Sequence, residues 1–261
     1  MLYKTHYTTD KYTKNQLRNI NNELGTIFAI SLLALNYNNQ FREINMKKSI
    51  LSTALASLLL STATISTSAS AIEGLSTNVG VVSQYFFRGI AQTSTASASA
   101  GVDYETGGFS VGAWTADVQD GLEIDLYGSY SLDIEGFGLS AGFTTYQYTG
   151  DFDSAYNEIN LGASYSYFSV SYNVGKHSED SSIGIDESDY DFLSVTAEYE
   201  GFYATYGMWG KDFDGDYIEL GYGTDIGGFD VGVAVIANSD ELDLETGEGD
   251  ESLVFSIAKT F

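Results

Sequence analysis

The sequence contains no cysteine and no proline among its 261 residues. Neither a disulfide nor a zinc-thiolate cluster can hold the fold together, so its stability must come from pairing and packing. Basic residues are scarce too. Because seven of the 11 basic and three of the 36 acidic residues lie in 1–71, residues 72–261 hold four basic and 33 acidic residues, a net charge of −29. Such a segment repels phosphates, which excludes nucleic acid as a partner.

Residues 46–71 have the layout of a secretory signal peptide. Met46 is followed by two lysines, by a short apolar stretch from Ile50 to Leu60 and by small residues that end at Ala71. A basic start, a short apolar region and a small-residue site are the three parts of such a peptide. An anchoring helix is the alternative, but Ser and Thr dominate after Leu60 and the apolar part is too short to span a bilayer. We predict cleavage after Ala71.

Residues 1–45 precede this signal, although a signal peptide normally begins a chain. A wrongly assigned start codon is the simplest explanation, and we predict that 1–45 is unstructured. The apolar run from Ile27 to Leu35 could be read as a second membrane segment, but it is too short to span a bilayer. The fold is therefore predicted for residues 72–261 alone.

From Ile72 onward no apolar run approaches the length of a membrane helix, and side chains instead alternate with a period of two. Between Phe168 and Gly175, for example, large apolar residues alternate with Ser, Asn and Gly. This is the pattern of a strand with one apolar and one polar face. Segments of about ten residues with this alternation are typical of transmembrane β-barrels.

Twelve such segments predict an all-β fold, a transmembrane antiparallel up-and-down β-barrel. The even count fits bacterial single-chain barrels. The second segment has only alanines in the middle of its apolar face, so ten strands is the alternative. The predicted strands are 78–88, 96–104, 109–116, 123–132, 137–147, 157–167, 168–175, 191–199, 202–209, 217–224, 229–237 and 252–261.

The links between these segments alternate in length. Short links, such as Glu200-Gly201, alternate with longer or more acidic ones, such as 176–190 and 238–251. Outer-membrane barrels join their strands by short periplasmic turns and longer outer loops. Aromatic residues flank the short links, as expected for a girdle at the membrane interface. These features predict a location in the outer membrane of a Gram-negative bacterium.

The chain ends in an alternating strand that closes on Phe261, with Phe255 and Ile257 on the same face. A terminal aromatic residue in this position resembles the assembly signal of outer-membrane barrels. The resemblance implies that the barrel-insertion machinery reads these three residues.

The stretch Asn78–Thr93 contains the sequence Ser83-x-Tyr85-x-x-Arg88-Gly89. It resembles the opening strand of the TorF-type porins, and the similarity extends over residues 72–261. The resemblance implies an outer-membrane barrel with a porin-like role, and it strengthens the fold prediction more than it identifies a solute.

The polar face of each strand would point into the lumen of a lipid-facing barrel. Near the short-turn end the predicted lining residues are Asp103, Glu198 and Asp230, and near the long-loop end they are Arg88, Asp125, Glu158 and Glu219. The rest of the inner face is mostly small, which favours an open lumen that Trp114, Trp209 and Tyr203 narrow. The small residues are Gly80, Ser99, Gly112, Ser129, Gly142, Ser164, Ser171, Gly207 and Gly221.

An acidic lumen predicts a passive channel for small solutes or ions that prefers cations. The alternative is a plugged barrel in which these charges form a salt-bridge network around Arg88. A non-conducting structural or adhesin-type barrel is the alternative function. The expected partners are outer-membrane lipids and lipopolysaccharide, the latter through divalent cations held by acidic loops.

The sequence gives little support for a catalytic site or a metal site. His177 is the only histidine after residue 71 and lies in an acidic link, so no nucleophile and base are evident. The acidic run Asp212–Asp216 lacks the glycine register and the bidentate Glu of a calcium loop. We therefore predict no enzymatic activity, no metal and no cofactor.

Overall fold

The computed structural model describes residues 72–243 and 249–261, and these form a closed antiparallel barrel of twelve strands. The predicted fold class is confirmed, and the ten-strand alternative is wrong. The predicted segments 1–45 and 46–71 lie outside the described residues. The barrel strands are β1 (Leu75–Val82), β4 (Ser97–Thr106), β5 (Phe109–Asp117), β6 (Leu122–Ile134), β7 (Phe137–Tyr148), β8 (Tyr156–Tyr165), β9 (Phe168–His177), β10 (Ser188–Tyr199), β11 (Phe202–Lys211), β12 (Asp216–Asp225), β13 (Asp230–Asn238) and β14 (Glu251–Thr260). We call these twelve strands the wall. A small hairpin of β2 (Phe86–Phe87) and β3 (Ile90–Ala91) is not part of it.

Neighbouring wall strands pair in chain order, and β1 pairs with β14 to close the barrel. At this seam the register runs from Asn78 opposite Thr260 to Val82 opposite Ser256. The last residue takes part, because the Phe261 and Thr77 backbones donate to each other at 2.8 and 3.2 Å. Because β1 and β14 pair with each other, neither of these strands has a free edge.

The links between strands are sorted by length, as predicted. One end has tight turns, of which Glu135-Gly136 and Glu200-Gly201 are two with positive φ at both central residues. Such turns match the twist of the flanking strands. The other end has the longer connections, including 178–187 and 239–250.

The two faces of the wall differ in chemistry. Outward side chains are large, apolar and exposed, for example Phe255 at 56% and Leu220 at 55%. Inward positions are mostly polar or small. Aromatic rings cluster at the tight-turn end, where Phe137 stacks on Tyr165 with ring centroids 4.3 Å apart. The alternation in the sequence therefore corresponds to an apolar exterior and a polar interior.

Strand β1 ends at Val82, earlier than the predicted end at 88, and the chain then turns into the barrel. We call residues 83–96 the inward segment. The alternation stops here because three aromatic residues, Tyr85, Phe86 and Phe87, follow one another. Strands with one lipid-facing side cannot hold such a run, since its members would point to both faces.

Helical structure in the described part of the chain is confined to a 3-10 helix at Asp240–Leu242, where Leu242 is buried. Across 72–243 and 249–261, no helix is both long and apolar enough to cross a bilayer.

Candidate functional site

The inward segment is folded as a hairpin inside the long-loop half of the barrel. Phe86 pairs with Ala91 and Phe87 with Ile90, and the turn between them is Arg88-Gly89. Arg88 has φ 50° and Gly89 has φ 85°. Positive φ at both positions characterises the two-residue turns that suit a hairpin, and Gly adopts it without strain.

The Arg88 side chain forms a buried ion pair with Glu158 of β8. Its Nη1 and Nη2 donate to the two oxygens of Glu158 at 2.9 and 2.8 Å. Tyr146 of β7 and Tyr190 of β10 each donate a hydroxyl to the same carboxylate at 2.9 Å. Arg88 is 6% and Glu158 1% exposed. A buried carboxylate held by a bidentate guanidinium and further donors is well stabilised, whereas either partner alone would be costly.

Aromatic faces surround the guanidinium as well. The Arg88 Cζ atom lies 4.5 Å from the centroid of the Phe192 ring, 4.8 Å from that of Phe87 and 5.5 Å from that of Trp209. At such distances the ring quadrupole attracts a cation. The hairpin tip is fixed to the wall by backbone acceptors too. Trp209 Nε1 donates to the Arg88 carbonyl at 3.1 Å, and Asn238 Nδ2 donates to the Gly89 carbonyl at 3.0 Å.

Tyr85 ties the start of the inward segment to β6, three strands away from β1 in the barrel. Its hydroxyl donates to Glu123 Oε1 of β6 at 2.6 Å, while its backbone N–H donates to Thr93 Oγ1 at 2.9 Å. Nearby, three buried polar atoms have no partner among the described residues: Trp114 Nε1, Glu123 Oε2 and Asp125 Oδ1. Two of the three belong to residues that lie opposite each other on β5 and β6, Trp114 and Asp125.

Each residue of the Ser83-x-Tyr85-x-x-Arg88-Gly89 sequence thus has a role in placing the inward segment. Ser83 receives a hydrogen bond from the Phe255 N–H on its Oγ at 2.9 Å and donates its own N–H to the Phe255 carbonyl at 2.8 Å. Ser83 therefore fixes the point where the chain leaves the wall. A Cβ on Gly89 would overlap the Tyr217 ring.

The wall and the inward segment fill the long-loop half of the barrel. Strands β5 to β14 each contribute an inner-face side chain that is no more than 6% exposed. The inner faces of β5 to β14 therefore pack closely at this level of the barrel. The ten side chains are Ala116, Glu123, Thr144, Glu158, Asn173, Tyr190, Trp209, Tyr217, Ile236 and Val254.

The tight-turn half is different, because its inner face is lined by small and polar side chains that are half-buried. The half-buried rings of Tyr127 and Tyr203 are the larger side chains on this face. Its residues include Ser129, Ser131, Ser140, Ser164, Ser169, Ser171, Ser194 and Thr205.

The seven residues predicted to line a lumen all lie on the inner side, in two groups. At the tight-turn end, Asp103 and Asp230 are half-buried and Glu198 is exposed. In the long-loop half, Asp125 and Glu219 are each 6% exposed, as is Arg88. The Glu219 carboxylate accepts the Tyr203 hydroxyl at 2.6 Å, and Asn78 Nδ2 donates to Asp103 at 3.4 Å. The second group is therefore covered by the inward segment and by neighbouring rings.

Sequence reasoning located Arg88 and Glu158 but not the hairpin that joins them. Tyr85, Tyr146 and Tyr190 were missed as partners of buried carboxylates. The signal for the hairpin was present, since Arg88-Gly89 between two apolar pairs is a two-residue turn pattern. The signal for the tyrosine partners was absent, because a cross-barrel contact has no sequence spacing.

His177 lies at the end of β9, where its Nε2 is 2.8 Å from Asp153 Oδ1 and its ring stacks on Tyr156. The nearby Ser154 hydroxyl donates to the Ser178 carbonyl. In the part of the chain that the structure covers, no group of three or more His, Cys, Asp or Glu side chains is arranged to hold a metal. Glu245 and Glu248, which belong to the acidic loop before β14, lie outside the described residues.

These observations define a class: a twelve-stranded antiparallel barrel with an apolar exterior and an interior partly filled by its own inward segment. The chain belongs to the Gcw_chp family, described as bacterial proteins of unknown function, whose model matches residues 66–252. None of the curated proteins matches the sequence.

The chain is similar to several solved structures at low sequence identity. One, from work on the in-meso crystallization of membrane proteins, is 13% identical, with a TM-score of 0.50 over 72% of this chain and 83% of the other. OccK2 (OpdF) of Pseudomonas aeruginosa with glucuronate is 14% identical, with a TM-score of 0.38 over 74% of this chain and 68% of that one. OccAB3 of Acinetobacter baumannii is 13% identical, with a TM-score of 0.37 over 74% and 66%. Because the first of these structures is only 13% identical, its similarity to this chain concerns the fold alone.

Proposed function

We propose that residues 72–261 form a channel of the Gram-negative outer membrane, crossed passively by small solutes or ions with a preference for cations. The inward segment closes this channel in the state described above. The observation that carries the proposal is the division of the wall into an apolar exposed exterior and a polar interior. A soluble barrel would bury its large apolar side chains, whereas a lipid-facing barrel exposes them.

The aromatic residues at the tight-turn end support the membrane location. Phe109 packs on Tyr130 and Phe202 on Tyr222, both with ring centroids 4.6 Å apart. Lys259 lies 4.8 Å from the ring centroid of Phe229 and 5.2 Å from that of Phe261. Amphipathic rings and a lysine at one level suit the boundary between hydrocarbon and headgroups.

Assembly and lipid partners follow from the same orientation. Phe255, Ile257 and Phe261 are all exposed on the outside of the barrel. We infer that they act as the assembly signal read by the barrel-insertion machinery. The opposite end, with its acidic loops, would face lipopolysaccharide, and divalent cations would bridge the two sets of anions. By its motif the chain would be a TorF-type porin, which transports rather than catalyses.

The proposed cation preference rests on the charges of the interior. Among the seven predicted lining residues Arg88 is the only cation, and Glu158 already neutralises it. At the tight-turn end the predicted lining residues are all acidic: Asp103 and Asp230 are half-buried and Glu198 is exposed. Carboxylates in such positions attract cations and repel anions.

Conductance of the purified protein in a planar bilayer tests the proposal. We expect rare openings for the wild-type protein and frequent ones when residues 84–95 are replaced by a short Gly-Ser linker. The reversal potential in a salt gradient should indicate cation preference. Anion preference would contradict the proposed cation preference. A lack of current from both proteins would contradict the proposed channel function.

A second candidate, a non-conducting structural barrel, is favoured by the ten buried inner-face side chains of the long-loop half. In that case the inward segment would be a permanent part of the core. The linker variant separates the two candidates, because a structural barrel would lose stability on this replacement without gaining conductance.

A further inference from the structure

Glu158, Tyr146, Tyr190, Phe192 and Trp209 form what we call the Glu158 cage. All five belong to the wall, on strands β7, β8, β10 and β11. Arg88, which fills the cage, belongs instead to the inward segment. The wall therefore holds a complete cation-binding arrangement whose occupant is a different part of the same chain.

The cage matches the shape of a guanidinium group. Both oxygens of Glu158 receive parallel N–H donors at 2.8 and 2.9 Å, which is the fork geometry that only a planar guanidinium offers. Phe192 and Trp209 present ring faces to the same group. An ammonium group is a point charge without the fork. A hard divalent cation would need more oxygen ligands than one carboxylate and two phenols supply, and the neighbouring Asn160 presents an N–H donor to Glu158 rather than an oxygen.

We propose that the Glu158 cage is a recognition site for solutes that bear a guanidinium group, and that Arg88 occupies it as an intramolecular competitor. The route of such solutes to the cage rests on the proposed channel, whereas binding itself does not require conduction. A solute that takes the place of Arg88 would remove the main ion pair of the docked hairpin. Solute entry and release of the inward segment would then be coupled.

The competitor can be removed without disturbing the backbone. Arg88 has φ 50°, a conformation that suits glycine better than arginine, so Arg88→Gly relieves strain while it empties the cage. The tip keeps its bonds from Trp209 and Asn238, because both are accepted by backbone carbonyls. Arg88→Asn is a second variant, since Asn-Gly is a favoured sequence for this turn.

The experiment is a titration of Arg88→Gly with methylguanidinium chloride at constant ionic strength. Trp209 fluorescence is the readout, in a Trp114→Phe background that leaves Trp209 as the single tryptophan. We expect saturable binding, with a Kd at least about tenfold lower than for methylammonium. Wild-type Arg88 should shift the curve to higher concentration, because a tethered competitor acts at a high effective concentration.

Two further variants make the result specific. Adding Glu158→Gln to Arg88→Gly should abolish saturation, while adding Glu73→Gln, at an exposed position before β1, should leave it unchanged. Equal affinity for methylammonium, no effect of Glu158→Gln, or no saturation in both Arg88→Gly and Arg88→Asn would overturn the proposal. If these proteins bind methylguanidinium but conduct no current, the channel is wrong and the cage stands. If they conduct current but do not bind methylguanidinium, the proposed guanidinium site is wrong and the proposed channel stands.

Discussion

The ring of Tyr190 lies over the backbone of Gly175, the residue directly opposite it on β9. Three more inner-face tyrosines are placed in the same way, each opposite a glycine that a Cβ would drive into the ring. These pairs are Tyr127 with Gly112, Tyr203 with Gly221 and Tyr217 with Gly207. Glycine in these strands thus provides space that a neighbouring aromatic ring occupies.

Gly175→Ala should therefore destabilise the barrel by about 1–3 kcal/mol, because the new methyl group overlaps the Tyr190 ring in a packed interior. Gly128→Ala is a matched control. A Cβ there meets Val111 at an ordinary 3.5 Å, so this change should be neutral or slightly stabilising. The midpoint of urea unfolding in lipid vesicles measures the stability of both variants. Equal midpoints for the two variants would contradict the packing described above.

These pairs explain where sequence reasoning about the interior was limited. The period-two pattern is local, so it predicted the twelve strands and the inner side of residues such as Gly112 and Gly221. Whether a small residue leaves a gap depends on the side chain across the strand boundary. The register that sets Tyr203 opposite Gly221 is not visible in one strand alone. Glycine and serine therefore suggested an open lumen, although rings cover several of these glycines.

Glu158→Gln should weaken docking of the inward segment and raise the open probability of the channel. The change leaves the Arg88 guanidinium buried without a counter-charge, which costs about 3–5 kcal/mol for buried pairs. Single-channel recording compares it with Glu198→Gln, whose carboxylate is exposed and outside the inward segment. An open probability equal to that of the control would argue that Arg88 and Glu158 do not hold the segment in place.

Tyr85→Phe should loosen the start of the inward segment. It deprives Glu123 Oε1 of its donor, and Oε2 has none among the described residues. An unsatisfied buried carboxylate oxygen costs about 1–3 kcal/mol or more. Hydrogen exchange of the peptide spanning 83–96 should accelerate accordingly. The double variant Tyr85→Phe with Glu123→Met removes both polar partners, so its exchange should return toward that of the wild type. If the two substitutions instead accelerated exchange additively, the proposed pairing of Tyr85 with Glu123 would be contradicted.

Replacement of Asp103, Glu198 and Asp230 by the corresponding amides should lower the cation preference that we propose for the channel. Asp103 and Asp230 are half-buried and Glu198 is exposed at the tight-turn end, and carboxylates there would concentrate cations. The shift of the reversal potential should run toward zero or toward anion preference. Amide replacement of Asp186, Asp212 and Asp214, which lie in the longer loops, is the control with the same loss of three charges.

The inward segment shows a second limit of the sequence. The alternation from Asn78 to Val82 predicted part of β1, which begins at Leu75, and the aromatic run that follows was wrongly included as its continuation to 88. Only the partners of Tyr85 and Arg88, on β6 and β8, reveal that the chain has left the wall. Contacts with such large sequence separation follow from closure of the barrel, which no local pattern encodes.

The direction of the apolar face can be tested with two neighbouring positions on β10. Val195 points outward and is 42% exposed, while Ser194 points inward and is half-buried. In a lipid-facing barrel Val195→Arg places a charge in hydrocarbon at a cost of about 2–4 kcal/mol near the bilayer midplane, whereas Ser194→Arg faces the polar interior. The yield of folded protein and the urea midpoint in vesicles measure the difference. If Val195→Arg were the better tolerated of the two, the exterior would face water and the membrane location would be wrong.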